Sequence, residues 1–576
     1  MPALPARQLP KEILQGWLGV NLRNDGLSMA DQDVMRAINA DFHTQPGVIR
    51  LRAGRSHLGT CSMAAPVTLM ARTGPRRYQA AGTTLDRDFV AIVTGLQAPL
   101  TTVVPARPLN DLTTWTFIAN ASAMRKDDGA TVRVWGLVPP LTPLTVAAGG
   151  AGGLTGAYKA RYTYVRVVGS SVAHQSNPSP ESNTVALTAQ VLSIPVVASA
   201  DPQVTHIRVY RTLAGGALYL FDQQVPNTMA TVTSSQADGA LGTAVETDND
   251  GPPAAGWVVE FQNHLWLCQD ADNPHYLWYS KRFQPESWPP GQFVALGDPT
   301  DPLQCALPMT GLLGVFSRLT KYRVTGNTAS GFVGIEALNT RGTLAPNAAI
   351  VSSQGALFVA RDGLFLTNFV ATDTEISQAI QALFSPSPSL TNALYSIDWS
   401  VPDALTLAEY KRRLWFGYQD TNGGRMLAIY SLDTQRWYHY QQPVHRLAVE
   451  EETDRLLMGT TIGTVAALED TASDVGAAIA LTIDFPPRAG GDRFRLKRYD
   501  FLRVEAEVPS GILSLAFSVD DVLRHTLSIT GTRARGLHRL PPALLGYAWS
   551  IQATYTGVAM VKIHALEALF SVLEQA

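Results

Sequence analysis

Two stretches of this chain, 257–288 and 412–437, follow one plan. In the first, Trp257 opens an alternating run, Leu265-Trp266 sits on the next, Trp278-Tyr279-Ser280 on a third, and Trp288 follows the next turn. In the second, Leu414-Trp415, Tyr430-Ser431 and Trp437 occur in the same order. Apolar and polar residues alternating with period two are the pattern of half-buried strands. A small antiparallel unit used more than once is the mark of radial repetition, as in a β-propeller. Turn signals recurring every ~8–12 residues from 253 to 472 agree with that reading. The six tryptophans Trp257, Trp266, Trp278, Trp288, Trp415 and Trp437 are the expected packing anchors of the blades.

Composition narrows the classes. Charged residues are 16% of the 576, below the usual figure of about 25%. The 46 glycines and 36 prolines are scattered, as many turns require. A net charge of −3 gives no overall attraction to nucleic acid or an anionic membrane. Cys61, Cys268 and Cys305 are far apart and form no CxxC, so buried thiols in a reducing compartment are expected. No apolar run approaches the ~20 residues of a membrane span, and the first residues lack a signal-peptide pattern. A protein made and kept in a cytoplasm is expected.

The fold class read from the chain is all-β: a β-propeller-like core, an inserted fibronectin type III-like β-sandwich and a C-terminal β domain. Five regions are expected. Residues 1–60 form an N-terminal segment with one short helix, capped by Ser28, with Val34, Met35 and Ile38 on one face, followed by a strand at 47–55. Residues 61–147 begin the propeller. Residues 148–252 are the sandwich, entered through the glycine-rich linker 147–156. Within it Tyr158, Ala160, Tyr162 and Tyr164 share a face, Ser-Asn-Pro-Ser-Pro (176–180) turns a corner, and 205–212 is a strand. Residues 253–475 complete the propeller, with hairpins at 312–325, 356–368 (around Asp362-Gly363) and 455–468. There Asp373 is expected to cap a helix carrying Ile376, Ile380 and Leu383. Residues 476–576 are the last domain, with strands at 501–507, 512–519, 524–529 and 550–555; periodicity leaves 558–573 open between a strand and a partly helical end.

The order of these features resembles the tail nozzle proteins of short-tailed bacteriophages, also called hub or tail tubular B-like proteins. The motifs that carry the resemblance are Gly-Val-Ile-Arg-Leu-Arg-Ala-Gly (47–54), Ser-Asn-Pro-Ser-Pro (176–180) and Ile-Arg-Val-Tyr-Arg-Thr (207–212). They are followed by Asn-His-Leu-Trp (263–266), Leu-Trp-Tyr-Ser (277–280), Pro-Glu-Ser-Trp (285–288) and the Gly-Leu-Leu-Gly-Val-Phe and Gly-Leu-Phe-Leu hairpins. The resemblance implies a structural virion protein of the tail, assembled in the host cytoplasm as a homo-hexamer below the portal and adaptor. The implied partners are the adaptor, tail fibre or spike proteins, and genomic DNA passing through a central channel at ejection. It implies no catalytic residue, metal or cofactor, and no stable membrane insertion.

The residues give no enzyme motif of their own. HExxH, GxSxG, a Walker A loop and an EF-hand loop are absent from the sequence. Gly150 and Gly152 begin a GxGxxG pattern, but Thr155 stands at its third glycine and no βαβ unit surrounds it. His264 and His275 flank a strand pair and lack a third ligand. Ser431-Leu-Asp433-Thr-Gln-Arg-Trp437 resembles the Asp box of sialidases, with Gln435 in place of a small residue; a turn closed by Asp433 explains it as well. Asp270, Asp272 and Glu286 are the carboxylates that could line a propeller site. The one basic stretch is C-terminal. Arg493, Arg495, Lys497 and Arg498, with Arg488 and Arg503 beside them, interleave with Phe494, Tyr499 and Phe501, and Arg533, Arg535 and Arg539 follow. Cations with stacking aromatics are what a single-strand binder uses, and a basic contact in an assembly uses the same cations. Two alternatives accompany the nozzle reading: a carbohydrate-active β-propeller enzyme or lectin, and a tail fibre or adhesin component.

Overall fold

The alternating runs fold into short antiparallel strands grouped by fours. The computed structural model describes residues 9–23, 26–97, 102–338, 340–385, 396–542 and 544–573. Six four-stranded blades occupy 67–94, 102–134, 257–295, 303–336, 349–375 and 406–441. The seventh combines Val444–Glu450, Arg455–Thr460 and Thr464–Thr471 with Gly54–Thr60, which arrives from far upstream. First strands of successive blades lie side by side, and Val444–Glu450 packs on Val67–Thr73 of blade 1, so the ring closes. Closing the last blade with a strand from the start of the ring ties the two ends together and covers an edge that would otherwise be open. The all-β propeller expected from the sequence is therefore present, with seven blades among the described residues.

The sandwich enters between blades 2 and 3. One sheet holds Ala147–Tyr158, Val185–Pro195 and Thr231–Ser234; the other holds Ser171–Gln175, Ala160–Val168, His206–Arg211 and Leu220–Pro226. Tyr158, Tyr162 and Tyr164 fill its core with Leu192, Ile194 and Ile207. The Ser-Asn-Pro-Ser-Pro corner runs alongside the strand Ala160–Val168. Three serines serve that strand as donors and acceptors: the backbone N–H groups of Ser176, Ser179 and Ser182 donate to the carbonyls of Tyr164 (2.9 Å), Tyr162 (2.8 Å) and Ala160 (3.1 Å). Ser176, Ser179 and Ser182 accept, through Oγ, the N–H groups of Tyr164 (3.0 Å), Tyr162 (3.2 Å) and Ala160 (2.9 Å). The glycine-rich stretch expected as a linker is instead part of the strand Ala147–Tyr158, paired irregularly with Val185–Pro195. A Cβ at Gly149 or Gly152 would lie 2.6 or 2.5 Å from Val191; the missing side chains let this backbone approach.

The C-terminal domain is built on Lys497–Val519, a strand of 23 residues. It absorbs the two shorter strands expected at 501–507 and 512–519. One edge pairs with Val522–Arg539, and the other with Lys562–Val572 and Trp549–Gly557. Residues 562–572 thus resolve as strand. Ile479–Asp484 joins Trp549–Gly557, then pairs with Arg36–Ile38, which meets Arg436–Gln441 of blade 6 through Ile38 and His439. The domain's sheet and blade 6 are consequently one continuous sheet.

The expected helix after Ser28 does not form. A 3-10 turn, Gly26–Ser28, leads into Asp33–Val34, Arg36–Ile38 and Ala40–Asp41. Val34 and Ala37 are buried, and Ile38 packs partly exposed against the same core. Pairing with strands on both sides outweighs the local helical spacing. Asp373 caps no helix either: it pairs with the buried Lys321 at 2.7 Å, and a 3-10 segment, Gln378–Leu383, begins after Ser377.

Candidate functional site

The tryptophan anchors join blade to blade. Trp266 lies on the second strand of blade 3, fully buried, 4.9 Å from Tyr279 and 4.7 Å from Phe332 of blade 4. Trp257 donates from Nε1 to the Ala306 carbonyl on the first strand of blade 4 (3.1 Å). Trp288 donates to Pro285 O (2.9 Å) and meets Trp135 of blade 2 edge-on. Trp437, in blade 6, donates to Ile376 O at the end of blade 5 (3.0 Å). Trp415 is fully enclosed, with the Arg413 guanidinium 4.9 Å over its ring. Arg413 in turn forms a bidentate pair with Glu469 of blade 7. Trp278 is the half-buried member; its Nε1 donates to Asp270 Oδ2 (3.1 Å). Burying an aromatic of this size removes ~200 Å² from water, worth about 5 kcal/mol of transfer free energy.

The basic stretch does not present one cationic face. Lys497 is buried, and its Nζ donates to the carbonyls of Arg495 (3.0 Å) and Tyr547 (3.4 Å). Arg488 is buried and donates to Met29 O (3.0 Å). Arg493 donates to Leu27 O (3.2 Å). Arg495 pairs with Asp492 (3.2 Å), Arg498 with Asp500 (2.8 Å) and Arg503 with Glu567 (2.5 Å). Tyr499 lies in the core and Phe494 stands exposed, so the aromatics do not line up as a stacking platform. Arg533 lies outside the described side chains.

The expected carboxylates also part company. Asp270 accepts from Trp278, Asn273 and the Asp272 backbone, closing a turn. Glu286 is buried at the place where the sandwich meets blades 2 and 3. It accepts from Lys126 Nζ of blade 2 (2.6 Å) and from Arg166 of the sandwich; Arg166 also bonds Asp111. Trp115 lies under both cations, 4.4 Å from Lys126 Nζ and 5.2 Å from the Arg166 guanidinium. Burial opposes the Glu286 charge, but Lys126, His174 and Arg166 override it and hold the carboxyl down to about 2. Burial pushes His174 beside it down to about 4. No motif announces this junction, because its members come from three units far apart in sequence. The one sign is a polar residue inside an otherwise apolar run, such as Arg166 following Val165.

Other polar groups close turns or fill the axis. His264 is buried, with Nδ1 at 2.7 Å from Ser280 O and Nε2 at 2.9 Å from Thr328 Oγ1. It begins the strand His264–Cys268, whereas His275 precedes the antiparallel Tyr276–Tyr279, so the two stand at opposite ends of the pair. In the Asp-box-like turn, Ser431 Oγ accepts the Thr434 N–H (3.2 Å), while Asp433 pairs with Arg412 (2.7 Å). His43 Nδ1 lies 2.9 Å from Ser431 Oγ, but Ser431 is fully buried and its Oγ is already engaged in the turn. Near the axis, where first strands begin, Thr68, Asn347, Asp403, His445 and Arg446 from blades 1, 5, 6 and 7 line a small cavity. A larger cleft of about 410 Å³ lies between blades 5 and 6, lined by Glu375, Glu409, Leu414, Tyr430 and Trp437 among others.

The three cysteines are buried and unpaired, and burial raises the Cys61 thiol to about 12. Among the described residues no group of three or more His, Cys, Asp or Glu side chains is arranged to hold a metal ion. Among them, too, no helix is long and apolar enough to cross a membrane.

No protein-family model matches the chain, and no curated protein matches it. Among solved structures it is similar to the exo-beta-1,3-galactanase of Phanerochaete chrysosporium, at 5% identity over 57% of this chain and 97% of that one, with a TM-score of 0.22. It is similar to U3-55K at 7% identity over 72% and 98%, with a TM-score of 0.28. PorZ of the Porphyromonas gingivalis type-IX secretion system aligns at 12% identity over 82% of each chain, with a TM-score of 0.18. At such scores these likenesses bear on neither fold nor function, and the fold rests on the strand pairing described above.

Proposed function

We propose that this chain is a structural tail protein, a nozzle subunit, whose copies close into a hexameric ring around a passage for the viral genome. The observation that carries the reading is the way separate units are locked into one stiff body. The ring of blades is sealed by Gly54–Thr60, the C-terminal sheet continues blade 6, and buried ions pin the sandwich to blades 2 and 3. A conduit wall must resist strain and performs no bond chemistry, so rigid packing is its mechanism. Closed rings also need two different faces per subunit, and the sandwich and the C-terminal domain supply distinct surfaces. The cations at 488–503, each matched by a carboxylate or a carbonyl, suit passage of a polyanion, because unmatched lysines and arginines there would bind its phosphates and slow it. Adaptor, fibre or spike proteins and genomic DNA are the partners in this reading, and the virion tail is its location. Native mass spectrometry of the purified full-length chain, alone and mixed with a portal–adaptor complex, tests it. A hexamer is expected; a chain that stays monomeric in both mixtures overturns it.

A second reading, a carbohydrate-active propeller enzyme or lectin, is favoured by the cleft between blades 5 and 6. Tyr430 and Trp437 supply aromatic surface there, and Glu375 and Glu409 supply carboxylates. A glycan-binding screen with the Glu375→Gln and Glu409→Gln variants decides it: saccharide binding or hydrolysis lost in either variant supports this reading, and no binding by the parent chain removes it.

A further inference from the structure

The strand Val522–Arg539 runs 18 residues along the rim of the C-terminal domain, well beyond the usual ~5–6. Among the described residues its one strand partner is Lys497–Val519. Among the described residues its other edge meets no strand, so a row of backbone N–H and C=O groups is left for another chain. Its sequence holds Arg524, Arg533, Arg535, Arg539, His525 and His538, and no Asp or Glu. Arg524 and Arg539 are exposed and have no acidic partner among the described residues, whereas Arg535 pairs with Glu505. Val522, Leu523 and Leu537 are 49%, 59% and 53% exposed on the same strand. Pairing with a second copy of itself would gather the arginines and histidines of both strands with no carboxylate among them. An acidic, extended partner complements this composition.

The chain carries such a segment. Residues 237–250 contain Asp238, Glu246, Asp248 and Asp250 and no lysine or arginine. Around Gly242–Val245 this segment is extended along the rim of the sandwich, bonded to the backbone of Tyr219 and Phe221 on one side. Gly242, Thr243, Ala244, Glu246, Thr247 and Asp248 are exposed. Lys281 lies between Asp248 (2.6 Å) and Glu246 (3.7 Å) and offsets one of their two charges, and Asp238 is paired with Arg211 (2.7 Å), so the rim 242–248 keeps a net charge of about −1. We infer that the edge Val522–Arg539 of one copy docks on the acidic rim 242–248 of the next, as the contact between neighbours in the assembly. The two surfaces differ, so the contact is head-to-tail, the kind that generates a ring when its rotation closes. The inference rests on the ring reading proposed above.

The test is sedimentation of three full-length chains, with circular dichroism confirming that each is folded: the parent, R524E/R539E, and R524E/R539E combined with E246K/T247K. The parent should self-associate, and more weakly as salt rises. R524E/R539E should weaken association at least about tenfold, and the four-substitution chain should recover most of that loss. If R524E/R539E associates like the parent, or if E246K/T247K fails to restore it, the inference is overturned while the ring reading stands. If the parent itself stays monomeric with and without a portal–adaptor complex, the ring reading falls as well.

Discussion

Blades 3 and 6 are written with nearly the same letters and end up in different surroundings. Both put Leu-Trp on the second strand and Tyr-Ser at the end of the third. The last strand of blade 3, Phe293–Ala295, is the end of its sheet, while that of blade 6 continues through Arg36–Ile38 into the C-terminal domain. Trp266 and Trp288 of blade 3 are buried as deeply as their counterparts Trp415 and Trp437 but lie in two smaller cores, whereas Trp415 and Trp437 share the largest one with Trp17, Phe42 and Phe485. Trp278, whose place in blade 6 is taken by Ile429, is half-buried. The repeat specifies a blade; the neighbours decide how much each anchor stabilises.

Four substitution or pH experiments sharpen or break this comparison. Trp415→Ala removes a fully enclosed ring and should cost about 5 kcal/mol in denaturant unfolding, loosening blade 6 and the C-terminal sheet together. Separate transitions for the two would mean that the shared sheet does not couple them. Glu286→Ala should cost about 4 kcal/mol, because Lys126 would be left buried without its carboxylate and Arg166 with Asp111 alone. A loss of under about 1 kcal/mol would show that water reaches the junction. Acidification acts on both regions. His174 beside blade 3 and His439 in blade 6 are each pushed down to about 4 by burial. The folded chain refuses protons that the unfolded chain takes up below about 6.5. Their contribution is therefore intact above that pH and is lost as pH falls toward 4, by at most about 3 kcal/mol each. Glu286 adds a further loss below about 4.5. Unfolding free energies that stay flat from pH 7 to 4 would contradict the burial of both histidines. Trp278→Ala, at a half-buried position that blade 6 fills with Ile429, should cost about 2 kcal/mol; a cost equal to that of Trp415→Ala would mean that this ring is as enclosed as the blade anchors.

Much of the fold is legible because its signals are local. The turn Arg361-Asp362-Gly363 joins Gly355–Ala360 to Gly363–Thr367, and Thr460 to Gly463 turns the last hairpin of the ring, as alternation and turn chemistry require. What stayed hidden is non-local. The run 47–55 reads as one strand, yet it splits into Ile49–Leu51 in the C-terminal sheet and Gly54–Thr60 in blade 7, with partners several hundred residues on. Val34, Met35 and Ile38 fit a helix face until strands on either side claim their backbone. The glycines of 147–156 look like a flexible connector until Val191 is seen to occupy the space of their side chains. The candidate sites diverged for the same reason. Arg493, Arg495, Lys497 and Arg498 are neighbours in sequence, but strand geometry and nearby carbonyls and carboxylates send them to separate partners. The residues that do converge, Lys126, Arg166 and Glu286, belong to three different units.

Electron microscopy of the full-length chain assembled on a portal–adaptor complex tests the central claim most directly. The account predicts a ring of identical subunits whose genome passage lies on the symmetry axis between copies, with each subunit's own propeller axis narrowed by Asn347, Asp403, His445 and Arg446. Single unassembled copies beside the complex, or a passage running through the propeller of one copy, would contradict it.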